Sequence, residues 1–294
     1  MGQGIIVKAL SGFYDVLIGE DVYSCKGRGL FRKKKITPLV GDRVEIETQP
    51  DGTGTIIDIQ KRQNELVRPP IANVDQVIMV SSVVEPEFNP LLLDRFLTLI
   101  EFKNIDPLII LTKKDLASDD QLSKLEDYVG SFQQIGYKVL LVSKHMDQLE
   151  KMVLPYLNNK LSVIAGQSGV GKSSMLNGLN EQLNIATGDI SKSLGRGKHT
   201  TRHVELFQLG GGFVADTPGF SSLDFNEVEL EDLRFCFKEF VEVQDQCKFR
   251  GCLHMNEPKC AVKDAVEEGT ITPFRYEHYQ SFYEEIKSRK PRYS

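Results

Sequence analysis

Hydrophobic positions fall into two regimes along the chain. Up to Gln60 they come as short runs, Ile5–Leu10, Phe13–Ile18, Val44–Thr48 and Thr55–Gln60, with turn chemistry at Gly41-Asp42 and Asp51-Gly52. Short strands at this spacing predict a small β-barrel, OB-like in preference, with an SH3-like barrel as the alternative. The Gly-punctuated basic stretch between the second and third runs reads as a loop. The segment 64–70 ends in Pro69-Pro70, which suits neither a helix interior nor a central strand, and reads as a linker.

From residue 71 to about 220 the pattern changes. Val77–Val84, Leu108–Thr112, Val139–Ser143 and Leu161–Ala165 are continuous apolar runs without alternation, as expected for strands buried on both faces of a parallel sheet. Helical spacing of apolar residues appears over Pro90–Phe102 and Asp119–Gln134. The expected fold class is therefore multidomain α/β, with boundaries at 1–68 for the barrel, 69–226 for the α/β domain and 227–294 for a helix-rich end. In the last segment Phe274, Tyr276, Tyr279, Phe282 and Tyr283 recur at helical spacing and read as a packing face.

Composition narrows the class. The 294 residues are 40% hydrophobic and 26% charged, as in folded domains, and no apolar run approaches the roughly 18 residues needed to span a bilayer. The start, MGQGIIVKAL, lacks a secretory pattern and has Ile6 where a myristoylation signal wants Ser or Thr, so a cytoplasmic address is expected. The net charge of -5 is uneven: +2 over 1–68, -4 over the middle and -3 over 227–294. Within the first segment, six of the ten residues from Lys26 to Lys35 are cationic, interleaved with Phe31. That is a candidate track for RNA phosphates on a barrel surface.

The sharpest chemical signal is Gly166, Gln167, Ser168, Gly169, Val170, Gly171, Lys172, Ser173, a match to G-x-x-x-x-G-K-[ST] between the predicted strand Leu161–Ala165 and a helical stretch from Ser174 to Leu183. In such a loop, backbone N–H groups cradle phosphate, Lys172 reaches the β/γ oxygens and Ser173 offers its hydroxyl to Mg²⁺. Asp216-Thr-Pro-Gly219 follows the apolar run Gly212–Ala215; Asp216 can hold Mg²⁺ through water and the Gly219 N–H can sense a γ-phosphate. Thr112, Lys113, Lys114 and Asp115 follow the run Leu108–Leu111. The Asp115 carboxylate can accept from guanine N1–H and N2–H₂ but meets an acceptor in adenine, and Lys113 can cover the base. Ser143-Lys144 can supply a backbone amide to the guanine oxygen. These base-reading residues precede the phosphate-binding ones, the reverse of the Ras-like order, so a circular permutation is expected.

Cys247, Cys252, His254 and Cys260 offer four ligands within fourteen residues, compact enough for one tetrahedral Zn²⁺ with no open position, hence a structural site. Cys25 and Cys236 lie outside the cluster and read as ordinary thiols.

The order TKKD, GQSGVGKSS, GKHTTRH, DTPG, between an OB-like start and a Cys/His end, resembles the RsgA (YjeQ/YloQ) family of circularly permuted GTPases over essentially the whole chain. The resemblance implies GTP/GDP and Mg²⁺ as ligands, slow intrinsic hydrolysis stimulated by the small ribosomal subunit, binding of its rRNA, and a role in late subunit maturation. Thr112 departs from the Asn usual at the start of the base-reading motif. The segment 195–203 falls where switch I belongs, with Thr201, or alternatively Thr200, as a second Mg²⁺ hydroxyl. Phe220 stands where Ras-like enzymes place the water-orienting Gln. His199 matches the family position given that role, against the alternative of a merely solvated imidazole. A monomer without membrane attachment is expected. Two other classes compete, a non-catalytic RNA-binding scaffold and a P-loop kinase. Asp115 and Asp216-Thr-Pro-Gly219 argue against the kinase, which needs neither a guanine reader nor a γ-phosphate sensor.

Overall fold

The computed structural model describes residues 1–29, 31, 35–67, 69–143, 148–180, 204–215 and 225–289. Five strands, β1 (Gly2–Leu10), β2 (Phe13–Ile18), β3 (Asp21–Gly27), β4 (Arg43–Thr48) and β5 (Thr53–Ile59), close a barrel in the order β1-β2-β3-β5-β4. The ring closes through the antiparallel β1–β4 pair, and β3 runs parallel to β5. This is the OB arrangement of the two expected. Every strand sends at least one side chain into the interior: Ile6, Val16, Cys25, Val44, Ile46 and Ile56 are all fully buried.

Two expectations fail here. Lys26 lies in β3, which the pattern did not predict, because Cys25 is the one buried position in Asp21–Gly27. Phe31 is buried at 7% exposure, so its ring belongs to the core and is no platform for bases. Arg32, Lys33 and Lys34 lie outside the described residues.

The expected linker is also structured. Short strands β6 (Glu65–Leu66) and β7 (Ile71–Ala72) pair antiparallel across it. Before them, Arg62 makes a two-pronged contact with the fully buried Asp42, Nε to Oδ1 and Nη2 to Oδ2 at 2.8 Å each, while Asp42 also accepts from the Leu39 N–H at 2.7 Å. Burial of Asp42 is tolerable because each oxygen has a charged or N–H donor. Gly41 beside it has φ +87°, and a Cβ there would lie 2.1 Å from the Ala72 carbonyl oxygen, so only glycine lets the barrel approach β7 this closely.

Six strands form the second sheet in the order β10-β9-β8-β11-β13-β12: β8 (Gln76–Ser82), β9 (Asp106–Thr112), β10 (Lys138–Leu141), β11 (Leu161–Ala165), β12 (Leu206–Leu209) and β13 (Gly212–Ala215). The pairs β10–β9, β11–β8 and β11–β13 are parallel, and β12, which the pattern did not predict, is antiparallel to β13. Helices α1 (Pro90–Phe102) and α2 (Asp119–Gln134) have the predicted bounds. Asn89 caps α1 with Pro90 at its first position, and Ser118 with Gln121 forms a capping box on α2. By internal packing the chain divides into two units, Met1–Val80 with Val142–Ser222, and Ser81–Leu141 with Leu223–Ser294.

No helix among the described residues is long and apolar enough to cross a membrane.

Candidate functional site

In the first unit, all five residues of β11 are buried between β8 and β13, which fixes where the Gly-rich loop leaves the sheet. Gly166 has φ +141°, and a Cβ on it would lie 2.1 Å from the Val80 carbonyl oxygen, so the turn off the strand requires glycine. Gly169 and Gly171 are also left-handed, Gln167, Ser168 and Gly169 are exposed, and Val170 is a buried peg at 1% exposure. Helix α3 (Leu149–Val153) precedes this strand. Helix α4 (Lys172–Leu179) starts directly from the loop with Gly171 as N-cap, which leaves its first-turn N–H groups without intrahelical acceptors. Its start at Lys172 puts both Lys172 and Ser173 inside the helix, two residues earlier than predicted. The Lys172 Nζ donates to the Gly166 and Gln167 carbonyl oxygens at 2.8 and 2.5 Å, arching the side chain back over the loop. Ser173 is 6% exposed, and Ser174 is half-buried. A loop of left-handed glycines feeding a helix N-terminus, with one ammonium across it, suits a phosphorylated anion and the divalent cation that travels with it.

In the second unit, Thr112 ends β9 and its hydroxyl donates to the Ser81 carbonyl at 3.2 Å. Lys113 has φ +60°, and its ammonium donates to the Glu85 carbonyl oxygen. A 3₁₀ turn over Lys114–Leu116 follows, and Lys114 and Asp115 are exposed. The reversal at Lys113 thus turns Asp115 out to solvent. Strand β10 ends at Leu141 rather than at the predicted Ser143, and Ser143, which belongs to the first unit, is half-buried. Lys144, His199, Thr200, Thr201, Asp216, Gly219 and Phe220 lie outside the described residues.

The Cys/His cluster also belongs to the second unit. One ligand atom from each of Cys247, Cys252, His254 and Cys260 lies within 4.8 Å of the others. His254 presents Nδ1, 3.4 Å from the Cys260 sulfur and 3.7 Å from that of Cys247. Two ligands of a tetrahedral zinc, one sulfur and one nitrogen, should lie about 3.6 Å apart, so the donor set and its spacing fit this metal. The opposite nitrogen, Nε2, is buried with no hydrogen-bond partner among the described residues, and the imidazole stands nearly perpendicular to the Phe240 ring, 5.7 Å between centres. Burial, with Arg234 next, lowers His254 to about 4, leaving it a neutral donor at neutral pH, while burial raises the Cys252 and Cys260 thiols.

The residues that hold this loop were not predicted as such. Glu257 accepts from the Leu253 and Met255 N–H groups at 2.8 and 2.9 Å. Helices α5 (Leu230–Leu233), α6 (Lys238–Val243), α7 (Ala261–Glu267) and α8 (Pro273–Lys287) share one buried core with Cys252 and Cys260. From α8, the Tyr276 hydroxyl donates to the His254 carbonyl at 2.6 Å and the Tyr279 hydroxyl to that of Leu253 at 2.7 Å. The predicted aromatic face is therefore core, and two of its hydroxyls also support the ligand loop.

Metal analysis of freshly purified protein is expected to return about one zinc per chain. The thiols must lose protons to bind metal, and burial has raised them, so retention should weaken as pH falls. A zinc content near zero at neutral pH would leave the four residues as a packed thiol cluster.

The RsgA GTPase family model matches residues 59–226 and the RsgA N-terminal domain model residues 3–56. The chain is 58% identical over 293 residues to small ribosomal subunit biogenesis GTPase RsgA of Bacillus cytotoxicus, and 59% identical over 293 residues to RsgA 2 of Oceanobacillus iheyensis, covering 100% of both chains in each case. Among solved structures it is similar to YloQ, described as a circularly permuted GTPase, with TM-score 0.86, 48% identity and coverage of 100% of this chain and 97% of that one. YjeQ from Thermotoga maritima gives TM-score 0.85 and 36% identity over 98% of this chain and 99% of its own. With the Gly-rich loop opening the strand-to-helix turn, the five-strand barrel before it and likeness running end to end, the chain belongs to the RsgA GTPase family.

Proposed function

We propose that the protein hydrolyses GTP to GDP and phosphate in the late maturation of the small ribosomal subunit, binding the subunit and its rRNA in a nucleotide-dependent way. The observation that carries this reading is the loop 166–173, with glycine required at its first turn and Lys172 arched across it at the start of α4. The proposed division of labour follows the chain: a barrel over 1–68 that contacts RNA, a permuted GTPase domain over 69–226, and a helical zinc-binding domain over 227–294. The protein acts in the cytoplasm as a monomer.

In the nucleotide site, the 166–174 backbone and Lys172 hold the phosphates, with Ser173, Asp216 and Thr201, or Thr200 in its place, as the magnesium-holding residues. Bound magnesium would neutralise charge building on the β and γ oxygens. Asp115, Thr112, Lys113, Lys114, Ser143 and Lys144 read the base. The Gly219 N–H senses the γ-phosphate. Phe220 has no polar atom to orient water, so His199 takes that role, and docking on the subunit raises the rate by positioning its imidazole.

Turnover with and without small subunits tests the reading. The parent is expected to be slow alone and faster with subunits, whereas a scaffold would show no stimulation. His199→Ala should lose most of the stimulated rate while GTP affinity and subunit binding survive; full stimulation in that variant would remove His199 from the mechanism.

Base specificity has its own measurement. Asp115→Asn places a donor against guanine N1–H, so GTP binding should fall by at least about 100-fold while xanthosine triphosphate, with the complementary pattern, gains. Because Asp115 is exposed, stability should not change. Unaltered GTP affinity would overturn the assignment.

A further inference from the structure

The end of strand β8 and the turn beyond it form a template for the start of the base-reading segment. The Val83 N–H donates to the Thr112 carbonyl oxygen at 3.0 Å, and the Thr112 hydroxyl donates to the Ser81 carbonyl oxygen at 3.2 Å. One residue further along, the Lys113 ammonium donates to the Glu85 carbonyl oxygen. Residues 112 and 113 are therefore laid against 81–85 by three bonds, all within the second unit.

Ser82 stands in the middle of this template. It is the last residue of β8 and only 1% exposed, and its hydroxyl donates to the Pro86 carbonyl oxygen at 2.6 Å. That bond closes the chain over Val83, Val84 and Glu85. Val83 and Val84 are buried, whereas Glu85 is exposed and has φ +53°. Lys113, its partner, has φ +60°. A residue with a Cβ keeps this left-handed conformation only where its surroundings enforce it, and here two such residues are joined by one hydrogen bond. The Ser82 hydroxyl, bonded to the carbonyl next along from Glu85, supplies part of that enforcement from the core side.

We propose that Ser82 is a positioning residue for nucleotide binding: it holds the turn 83–86 so that the Glu85 carbonyl captures the Lys113 ammonium, and the captured ammonium keeps the Lys113 stem extended to cover the face of the base. Ser82 touches no nucleotide in this scheme and acts through Lys113. A lysine stem is a flexible four-carbon chain, and fixing its end in advance lowers the entropic cost of ordering it on a ligand. The stem meets the flat face of a purine, which carries no information about the ring's edge, whereas Asp115 reads the edge. Loss of Ser82 therefore weakens purine nucleotides alike without changing the choice among them. The inference deepens the reading of 112–115 as a base reader and rests on it.

The test is calorimetric titration of the full-length protein with GDP, inosine diphosphate and inorganic triphosphate. Ser82→Ala should weaken both diphosphates by the same factor, about three- to tenfold for one neutral hydrogen bond, and leave triphosphate, which has no base, at parent affinity. In turnover, KM for GTP should rise by a similar factor while kcat at saturation holds. Combined with Lys113→Met, which keeps the stem but removes the ammonium, Ser82→Ala should add nothing further. A second pair of variants leaves the core alone, because Glu85 is exposed. Glu85→Val disfavours the left-handed turn and should weaken GDP, whereas Glu85→Gly fits that turn and should not. Parent-like GDP affinity in folded Ser82→Ala or in Glu85→Val would overturn the proposal. Equal loss of triphosphate affinity, a fall in kcat with KM unmoved, or full additivity with Lys113→Met would do the same. A parent that binds ADP as tightly as GDP would instead sink the base-reading assignment of 112–115, a result separable from any effect of Ser82.

Discussion

Lys172→Ala is expected to reduce GTP turnover by roughly 100-fold to 1,000-fold or more, measured as phosphate release at saturating GTP. On the proposed role of Lys172, the variant loses a positive charge that would face the negative charge developing on the β and γ oxygens. It also loses two charge-assisted hydrogen bonds that tie the loop to itself at Gly166 and Gln167. The fold should survive, because Lys172 is half-buried at a helix N-terminus and its neighbours Val170 and Ser173 supply the packing. Lys172→Arg should recover little, since a planar fork does not replace a compact ammonium at a site framed by carbonyls. Parent-like turnover in either variant would mean that the loop does not hold phosphate.

The largest stability effect is expected at Arg275, which is 1% exposed on α8. Its Nε and Nη2 donate to the two oxygens of Glu239 on α6 at 2.6 and 3.1 Å, and its Nη1 donates to Asp94 on α1. His278 Nδ1 lies 2.6 Å from the other Asp94 oxygen, and the guanidinium stands 4.5 Å from the Phe237 ring centre. Burial works against the charge, and Asp94 and Glu239 more than reverse it, so the guanidinium's pKa ends above its ordinary value. Arg275→Leu strands two buried carboxylates and should cost about 3–5 kcal/mol in urea unfolding. Replacing all three with apolar residues of similar volume should cost much less, because the desolvation penalty then disappears together with the attraction. If the single variant loses under about 1 kcal/mol, the network is wetter than its burial indicates.

Legibility from sequence followed the range of each signal. The bounds of α1 and α2 came out residue for residue, because Asn89-Pro90 and Ser118 with Gln121 announce the starts within three residues. The four thiol and imidazole positions converge as their spacing suggested. Strand β3 escaped because its neighbours in the barrel, not its own alternation, make it a strand. The segment 64–70 looked like a linker because the Arg62–Asp42 contact that anchors the chain before it spans 20 residues. Likewise Tyr276 and Tyr279 read as packing residues, and nothing local could reveal carbonyl partners 22 and 26 residues away.

The Arg275–Asp94 pair also bears on the order of events during synthesis. The two residues are 181 positions apart, and the apolar core around Phe237, Phe240, Tyr279 and Phe282 extends to Leu99 and Phe102 of α1. Helix α1 therefore emerges from the ribosome long before the segment that covers it. Until the segment from Leu230 onward is made, Leu99 and Phe102 stay uncovered, and Asp94 lacks its cation until α8 follows, a period in which the nascent chain offers a hydrophobic surface to chaperones. Truncation before Pro273 should leave the first unit able to form while α1 remains open to proteolysis.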